Sequence, residues 1–216
     1  MENGVRLVVD GMTGVGKSTL VEILSGELDL EPFNEIFEDD NNLLHKFFHD
    51  RKRWCFPMQI NFLNHRFKQF KEASLLNSSI MDRSIYSDSI FANMYKDLGY
   101  LSREEFNVYQ SLLNNMLEHL TPPKMIVYLK VSAREAIRRI RKRGRPDELE
   151  VEDSYWKKLH GFYEKHYSDF ILTNVLYIEV DELDFVKFKN HRRIVVDEVL
   201  RKWEDINLYS LTMSLK

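Results

Sequence analysis

Residues Gly11–Thr19 read GMTGVGKST, the spacing G-x-x-x-x-G-K-[ST]. That spacing is informative only between a strand and a helix, and both flanks supply the context. The apolar run Arg6–Asp10 (RLVVD) leads in, and Lys17–Leu28 leads out with Leu20, Ile23, Leu24 and Leu28 on one helical face. Gly11, Gly14 and Gly16 let the backbone turn and aim its N–H groups inward, where a side chain would block phosphates. Lys17 brings a positive charge to β- and γ-phosphates, Ser18 offers a hydroxyl to Mg²⁺, and the helix N-terminus faces the same anion. The loop, with Val15 and Thr19 included, is therefore read as a nucleotide-phosphate site. Many reaction classes share such a loop, so it leaves the chemistry open.

Outward from the loop, apolar runs of strand length alternate with helical patterns, which predicts β-α-β units around a parallel sheet. Strands are expected at Arg6–Asp10, Pro32–Ile36, Ser79–Met81 (with Asp82 at its end), Met125–Val131 and Val175–Val180, giving a five-stranded parallel sheet. Helices are expected over 42–72 with a break near Pro57, and over 84–97, 102–120, 153–168 and 191–203. Ser132 with Glu135 three residues on reads as a capping box, and it opens a helix that Gly144 ends. The fold class is α/β: a three-layer P-loop fold, one domain over 1–207 with an arginine-rich lid over about 139–150. A tail over 208–216 is expected to fray.

The 216 residues are 44% hydrophobic and 30% charged, enough for a full core without disulfides and too apolar for disorder. The 31 basic and 34 acidic side chains leave a net charge of −3, which argues against coating nucleic acid. The single cysteine, Cys55, excludes a disulfide framework and a cysteine-built zinc site. Neither a signal-peptide core nor a membrane span is legible, so a cytoplasmic protein without membrane attachment is expected. His45 and His49 share a helical face but lack the further ligands that a metal site needs, and Cys55 reads as a packed side chain.

Three further features bear on the reaction. Asp82, at a strand end beside the loop, can orient Mg²⁺, and Arg83 can neutralise phosphate or hold a carboxylate; a surface salt bridge with Ser84 as helix cap is the less favoured alternative. Glu35, an acid at a strand end with no arginine beside it, suits a general base for a hydroxyl, or else belongs to a solvated acidic run with Glu38, Asp39 and Asp40. The segment Arg134–Arg145 has seven basic residues and one acid, so the net −3 divides into +6 here and −9 elsewhere. Arg139 and Arg143 share a face and Arg145 follows Gly144, as a lid over a triphosphate would require; a solvated face or a nucleic-acid patch has the same composition.

Taken together, GMTGVGKST, NEIFED, KFFHDRKRWCFPMQINFLNHRFKQ, DRSIYSDSIFA and RRIRKRGRPDE resemble the deoxynucleoside kinases, above all their bacterial deoxyadenosine/deoxyguanosine branch, from Leu7 to about Leu200. The resemblance implies a kinase-type version of the P-loop fold, and it implies roles for single residues. Glu35 would take the proton of the nucleoside 5′-hydroxyl, Arg83 would hold Glu35 and the 5′-oxygen, and Asp82 with Ser18 would orient Mg²⁺ beside ATP. Arg139, Arg143 and Arg145 match the lid arginines, Glu148 the residue gripping the sugar 3′-hydroxyl, and Gln59 the amide that reads the base edge. Trp54 and Phe91 match aromatic walls, although their periodicity alone would make them core residues. Arg66 and Asp88 match the charged pair of purine-accepting members and deoxycytidine kinases. This favours deoxyadenosine or deoxyguanosine, with deoxycytidine as the alternative. At Phe48 the family's usual tyrosine is replaced by a ring that cannot donate, leaving Glu148 or another hydroxyl to hold the 3′-oxygen. A homodimer is a further family expectation. The competing readings are a thymidylate-type monophosphate kinase, which shares the loop and lid, and a nucleotide-gated binding protein, which the acceptor-side residues disfavour.

Overall fold

A computed structural model describes residues 4–34 and 42–214. Strands β1 (Leu7–Gly11), β2 (Glu31–Phe33), β3 (Ser79–Asp82), β4 (Met125–Lys130) and β5 (Asn174–Glu179) form one parallel sheet in the order β2-β3-β1-β4-β5. β1, β3 and nearly all of β4 are buried, with apolar side chains on both faces at Leu7–Val9, Ile80–Met81 and Met125–Leu129, whereas the edge strand β5 is largely exposed. Register sets Val9 opposite Asp82 and Asp10 opposite Tyr128, so the carboxyl ends of the central strands open side by side. In an open parallel sheet that end is where ligands bind.

Helix α1 (Lys17–Leu28) packs on β1, β2 and β3. Helices α2 (Leu43–His49) and α3 (Arg51–Leu76) pack on each other, and α3 also covers β2 and β3. The break expected near Pro57 falls instead at Asp50, where the backbone leaves helix (φ −140°, ψ 86°) and the carboxylate caps Arg53 N–H at 3.2 Å. Pro57 is tolerated inside α3 because it and Arg53, whose carbonyl it leaves unpaired, lie on the exposed face where water can bond that oxygen. The helix expected over 84–97 begins as a 3-10 turn at Ile85–Ser87 and becomes α4 (Ser89–Asp97). Helix α5 (Arg103–Leu117) opens on a complete capping box between Ser102 and Glu105.

The capping box expected at Ser132 is only half made. Ser132 Oγ accepts from Glu135 N–H at 3.3 Å, but Asp181 takes the Ser132 N–H and Glu135 turns to Arg138 and Arg139. Charged partners outbid the backbone donor there, because hydrogen bonds between ionised groups are the stronger kind. The helix so opened, α6 (Ala133–Arg143), ends at Gly144, and the four-residue α7 (Pro146–Leu149) leads to α8 (Asp153–Ser168). α8 packs against α4 and α6. The closing helix α9 (Lys189–Ser214) packs on β5 and outruns the expected 191–203, so the tail beyond Asn207 is helical as far as Ser214. Among the described residues no helix is long and apolar enough to cross a membrane.

Candidate active site

The carboxyl ends of β1 and β3, the loop before α1, and helices α2, α3, α4, α6 and α8 enclose a cleft of about 920 Å³. Its floor is the phosphate loop. Gly14 (φ +82°) and Gly16 (φ +104°) take left-handed backbone, and a Cβ on either would lie 2.9 Å from Ile140 or 2.8 Å from Phe185, so the lid helix and the segment after β5 close directly on the loop. Lys17 is nearly buried, and its Nζ donates to the carbonyls of Gly11 (3.1 Å) and Met12 (3.2 Å), folded back across the hollow that the loop encloses. Gly11 itself lies beneath the lining, while Gly14, Val15, Gly16, Lys17, Ser18 and Thr19 all face the cleft.

Ser18 Oγ donates to Asp82 Oδ2 at 2.5 Å, and the other oxygen, Asp82 Oδ1, is buried with no hydrogen-bond partner among the described residues. A hydroxyl beside a carboxylate with spare lone pairs is an oxygen donor set that fits a hard divalent cation. No cluster of three or more His, Cys, Asp or Glu among the described residues is placed to hold a metal, so such an ion would complete its shell with phosphate and water.

Arg83 follows Asp82 in left-handed backbone (φ +64°), with its N–H still bonded to Val9 O at 2.9 Å. For a non-glycine residue this conformation costs about 1 kcal/mol. Pinned in this way, the guanidinium lies 5.1 Å from the Phe91 ring and 5.9 Å from the Tyr163 ring. Asp10, which sequence reasoning passed over, is fully buried beside it, 4.0 Å from Arg83 Nε.

Arg66 on α3 and Asp88 form a buried ion pair at 3.2 Å, and Tyr109 of α5 donates to the second carboxylate oxygen at 2.8 Å. Tyr109 was missed because a buried tyrosine at helical spacing carries no local sign of its partner. Burial and the Asp88 carboxylate push its phenol well up, so it stays a donor. Arg66, Asp88, Gln59, Phe48 and Phe91 share the cleft wall with Phe62, Tyr95, Tyr155 and Trp156, which sequence reading did not single out. The hydroxyls of Tyr95 and Tyr155 lie 2.8 Å apart. Trp54 is not brought into this wall; its ring packs under Lys46 at 4.8 Å and beside Arg53. Glu35 lies outside the described residues. The strand leading to it is anchored where Gln69 of α3 donates to Asn34 O at 2.6 Å.

Helix α6 and the segment after it, where a lid is expected, contribute Arg139, Arg143, Arg145 and Glu148, together with Arg138 and Lys142. Arg139 donates to Glu135 (2.7 Å) and to the carbonyl of Val180. Arg143 donates to both oxygens of Glu148, at 2.6 and 2.7 Å, and Arg145 stands 3.7 Å from the same carboxylate. Hydrogen bonds from Arg138, and then from Arg139, pull the Glu135 carboxyl down to about 2 against an opposing contribution from burial.

Comparison with known proteins agrees with this geometry. The deoxynucleoside kinase family model matches residues 7–203. The chain is 37% identical over 209 residues to a deoxyguanosine kinase of Lactobacillus acidophilus, covering 93% of this chain and 91% of that one. It is also 37% identical over 199 residues to a deoxyadenosine/deoxycytidine kinase of Bacillus subtilis, covering 89% and 90%. The solved deoxyadenosine kinase from M. mycoides with bound dATP superposes with a TM-score of 0.78 at 32% identity, over 90% of this chain and 99% of that one. The family model and these relatives cover most of the chain, and the chain belongs to the deoxynucleoside kinase family.

Proposed function

We propose that the chain transfers the γ-phosphoryl group of ATP to the 5′-hydroxyl of a purine deoxynucleoside, deoxyadenosine or deoxyguanosine, in nucleotide salvage. One observation carries this reading: a single cleft has a triphosphate loop at one end and the buried Arg66–Asp88 pair with Gln59 and Phe91 on its wall, and Arg83 lines it too. Buried charges facing a cavity suit the polar edge of a flat base, which can complete their hydrogen bonding. Deoxycytidine belongs in any substrate panel, since the relative from Bacillus subtilis is named for it as well.

In this mechanism Glu35 accepts the proton of the 5′-hydroxyl as that oxygen bonds to the γ-phosphorus. The bond to the β–γ bridging oxygen breaks, and ADP departs. Arg83 orients Glu35 and the 5′-oxygen, while Lys17, Arg139, Arg143 and Arg145 neutralise charge on the transferring group. Glu148 holds the sugar and Gln59 reads the base. Mg²⁺, held by Ser18 and Asp82, would supply further neutralisation of the phosphate oxygens. Family likeness also supports a cytoplasmic homodimer. Trp54, outside the cleft wall, has no part in this reading.

The test is a panel of the four deoxynucleosides with ATP and Mg²⁺, run on the wild type and on Glu35→Gln. A purine deoxynucleoside should be phosphorylated best, and the variant should lose about 10²–10⁴-fold in kcat while still binding ATP. Turnover with nucleoside monophosphates alone, or full activity in the variant, would overturn the proposal.

A further inference from the structure

We infer that Asp10 and Tyr167 are positioning residues that set Arg83 relative to the phosphate loop. The inference rests on the role proposed above for Arg83. Asp10 is the last side chain of β1 before the glycines and is fully buried. Its Oδ1 accepts from the Gly11 N–H at 2.7 Å and lies 4.0 Å from Arg83 Nε, while its Oδ2 accepts from the Tyr167 hydroxyl at 2.6 Å. One carboxylate therefore bonds the start of the donor loop and a tyrosine from α8, and stands as counter-charge to the acceptor-side arginine without a hydrogen bond from its Nε.

Each contact has a physical reason to be firm. A fully buried carboxylate requires a cation and hydrogen-bond donors, because leaving it unpaired in a dry interior is costly. Arg83 supplies the cation. Its own backbone is held in the left-handed region and tied to Val9 O, and among the groups its side chain leans against are Phe91, Tyr163 and Asp10. Tyr167 is locked in turn. Its ring stacks on Tyr128 at 4.0 Å, the Tyr128 hydroxyl donates to Glu164 at 2.8 Å, and the Tyr167 carbonyl accepts from Tyr177 at 2.6 Å. Burial, with Asp10 beside it, pushes the Tyr167 phenol well above its ordinary range, so it remains a proton donor to that carboxylate. Remove the donor and Asp10 keeps the Gly11 N–H on Oδ1 but has Oδ2 buried without this donor, so the carboxylate can pivot about that remaining bond and Arg83 loses a fixed counter-charge. The phosphate-binding side chains themselves are untouched.

The test is a double-mutant cycle. Tyr167→Phe is made in the wild type and in Arg83→Lys, and each protein is measured for kcat, for KM of ATP, and for calorimetric affinity for the deoxynucleoside. In the wild type, Tyr167→Phe should lower kcat by about 5–10-fold with KM for ATP within about twofold. In Arg83→Lys the same change should cost less than about twofold, in kcat or, where turnover is too slow to follow, in nucleoside affinity. Equal losses in both backgrounds, or no loss in the wild type, would overturn the inference while leaving the proposed function standing. Full turnover by Arg83→Lys would instead remove Arg83 from the proposed function.

Discussion

Phe48 lines the cleft, and its phenyl ring cannot donate to a sugar oxygen. Glu148 and the Tyr95–Tyr155 hydroxyl pair are polar groups that line the same cleft. Placing a hydroxyl at position 48 should therefore add a hydrogen bond that only a 3′-hydroxyl can use. A net hydrogen bond is worth about 1 kcal/mol, or roughly fivefold in a rate ratio. Phe48→Tyr should raise the preference for deoxyadenosine over 2′,3′-dideoxyadenosine by about that factor in kcat/KM. An unchanged ratio would mean that residue 48 does not face the sugar. The same reasoning explains why Tyr109 matters: it holds Asp88 Oδ2, so that both oxygens of a buried carboxylate are engaged before any base arrives.

At the scale of elements, the lid helix α6 is secured at its first turn, where Glu135 receives Arg138 and Arg139. Its far end is a second ion pair, Arg143 with Glu148, and in the proposed reaction each of these two leaves the other, one for phosphate and one for the sugar. Glu135 gives the anchored end a pH signature. Its carboxyl titrates near 2 when folded against an ordinary value of 4.5, so the folded state binds fewer protons than the unfolded one across that interval. The stabilisation is complete above about pH 4.5 and is lost as pH falls through about 2. Glu135→Gln should be less stable at neutral pH and should lose less on acidification over this window, read from urea midpoints. Parallel declines in the two proteins would show that the pair contributes nothing.

The elements themselves were legible where their signals are local. The loop, its flanking strand and helix, and the helix stop at Gly144 sit where their chemistry places them. Pro57 misled because a proline's cost depends on whether the freed carbonyl meets water, and that is a property of the face, not of the residue. Asp10 and Tyr167 are 157 positions apart, and only the packed fold brings them to 2.6 Å, so no spacing could announce the pair. Trp54 resembled a base wall by position, but Lys46 of α2 stacks on its ring and the wall falls to Phe91, Phe62 and residues of α8.

For the whole molecule, the net −3 is an average over a +6 lid segment and a −9 remainder. The lid cations Arg138, Lys142, Arg143 and Arg145 line the cleft, and Arg138, Lys142 and Arg145 keep more than half of their side-chain surface exposed. They meet two very different substrates. ATP is a polyanion that the body of the protein repels and the lid attracts, whereas a deoxynucleoside is neutral and feels neither at long range. Lys142 tests the balance because its ion-pair partner, Asp184, is 3.9 Å away and both are solvated, so little structure depends on it. Lys142→Glu should raise KM for ATP several-fold at about 50 mM salt and much less at about 300 mM, where the Debye length falls well below 10 Å. KM for the deoxynucleoside should not move at either salt concentration, which makes the neutral acceptor an internal control against misfolding. A rise in both KM values together, or a KM for ATP insensitive to salt in both proteins, would show that the uneven charge of the chain serves solubility and has no part in drawing the donor to its loop.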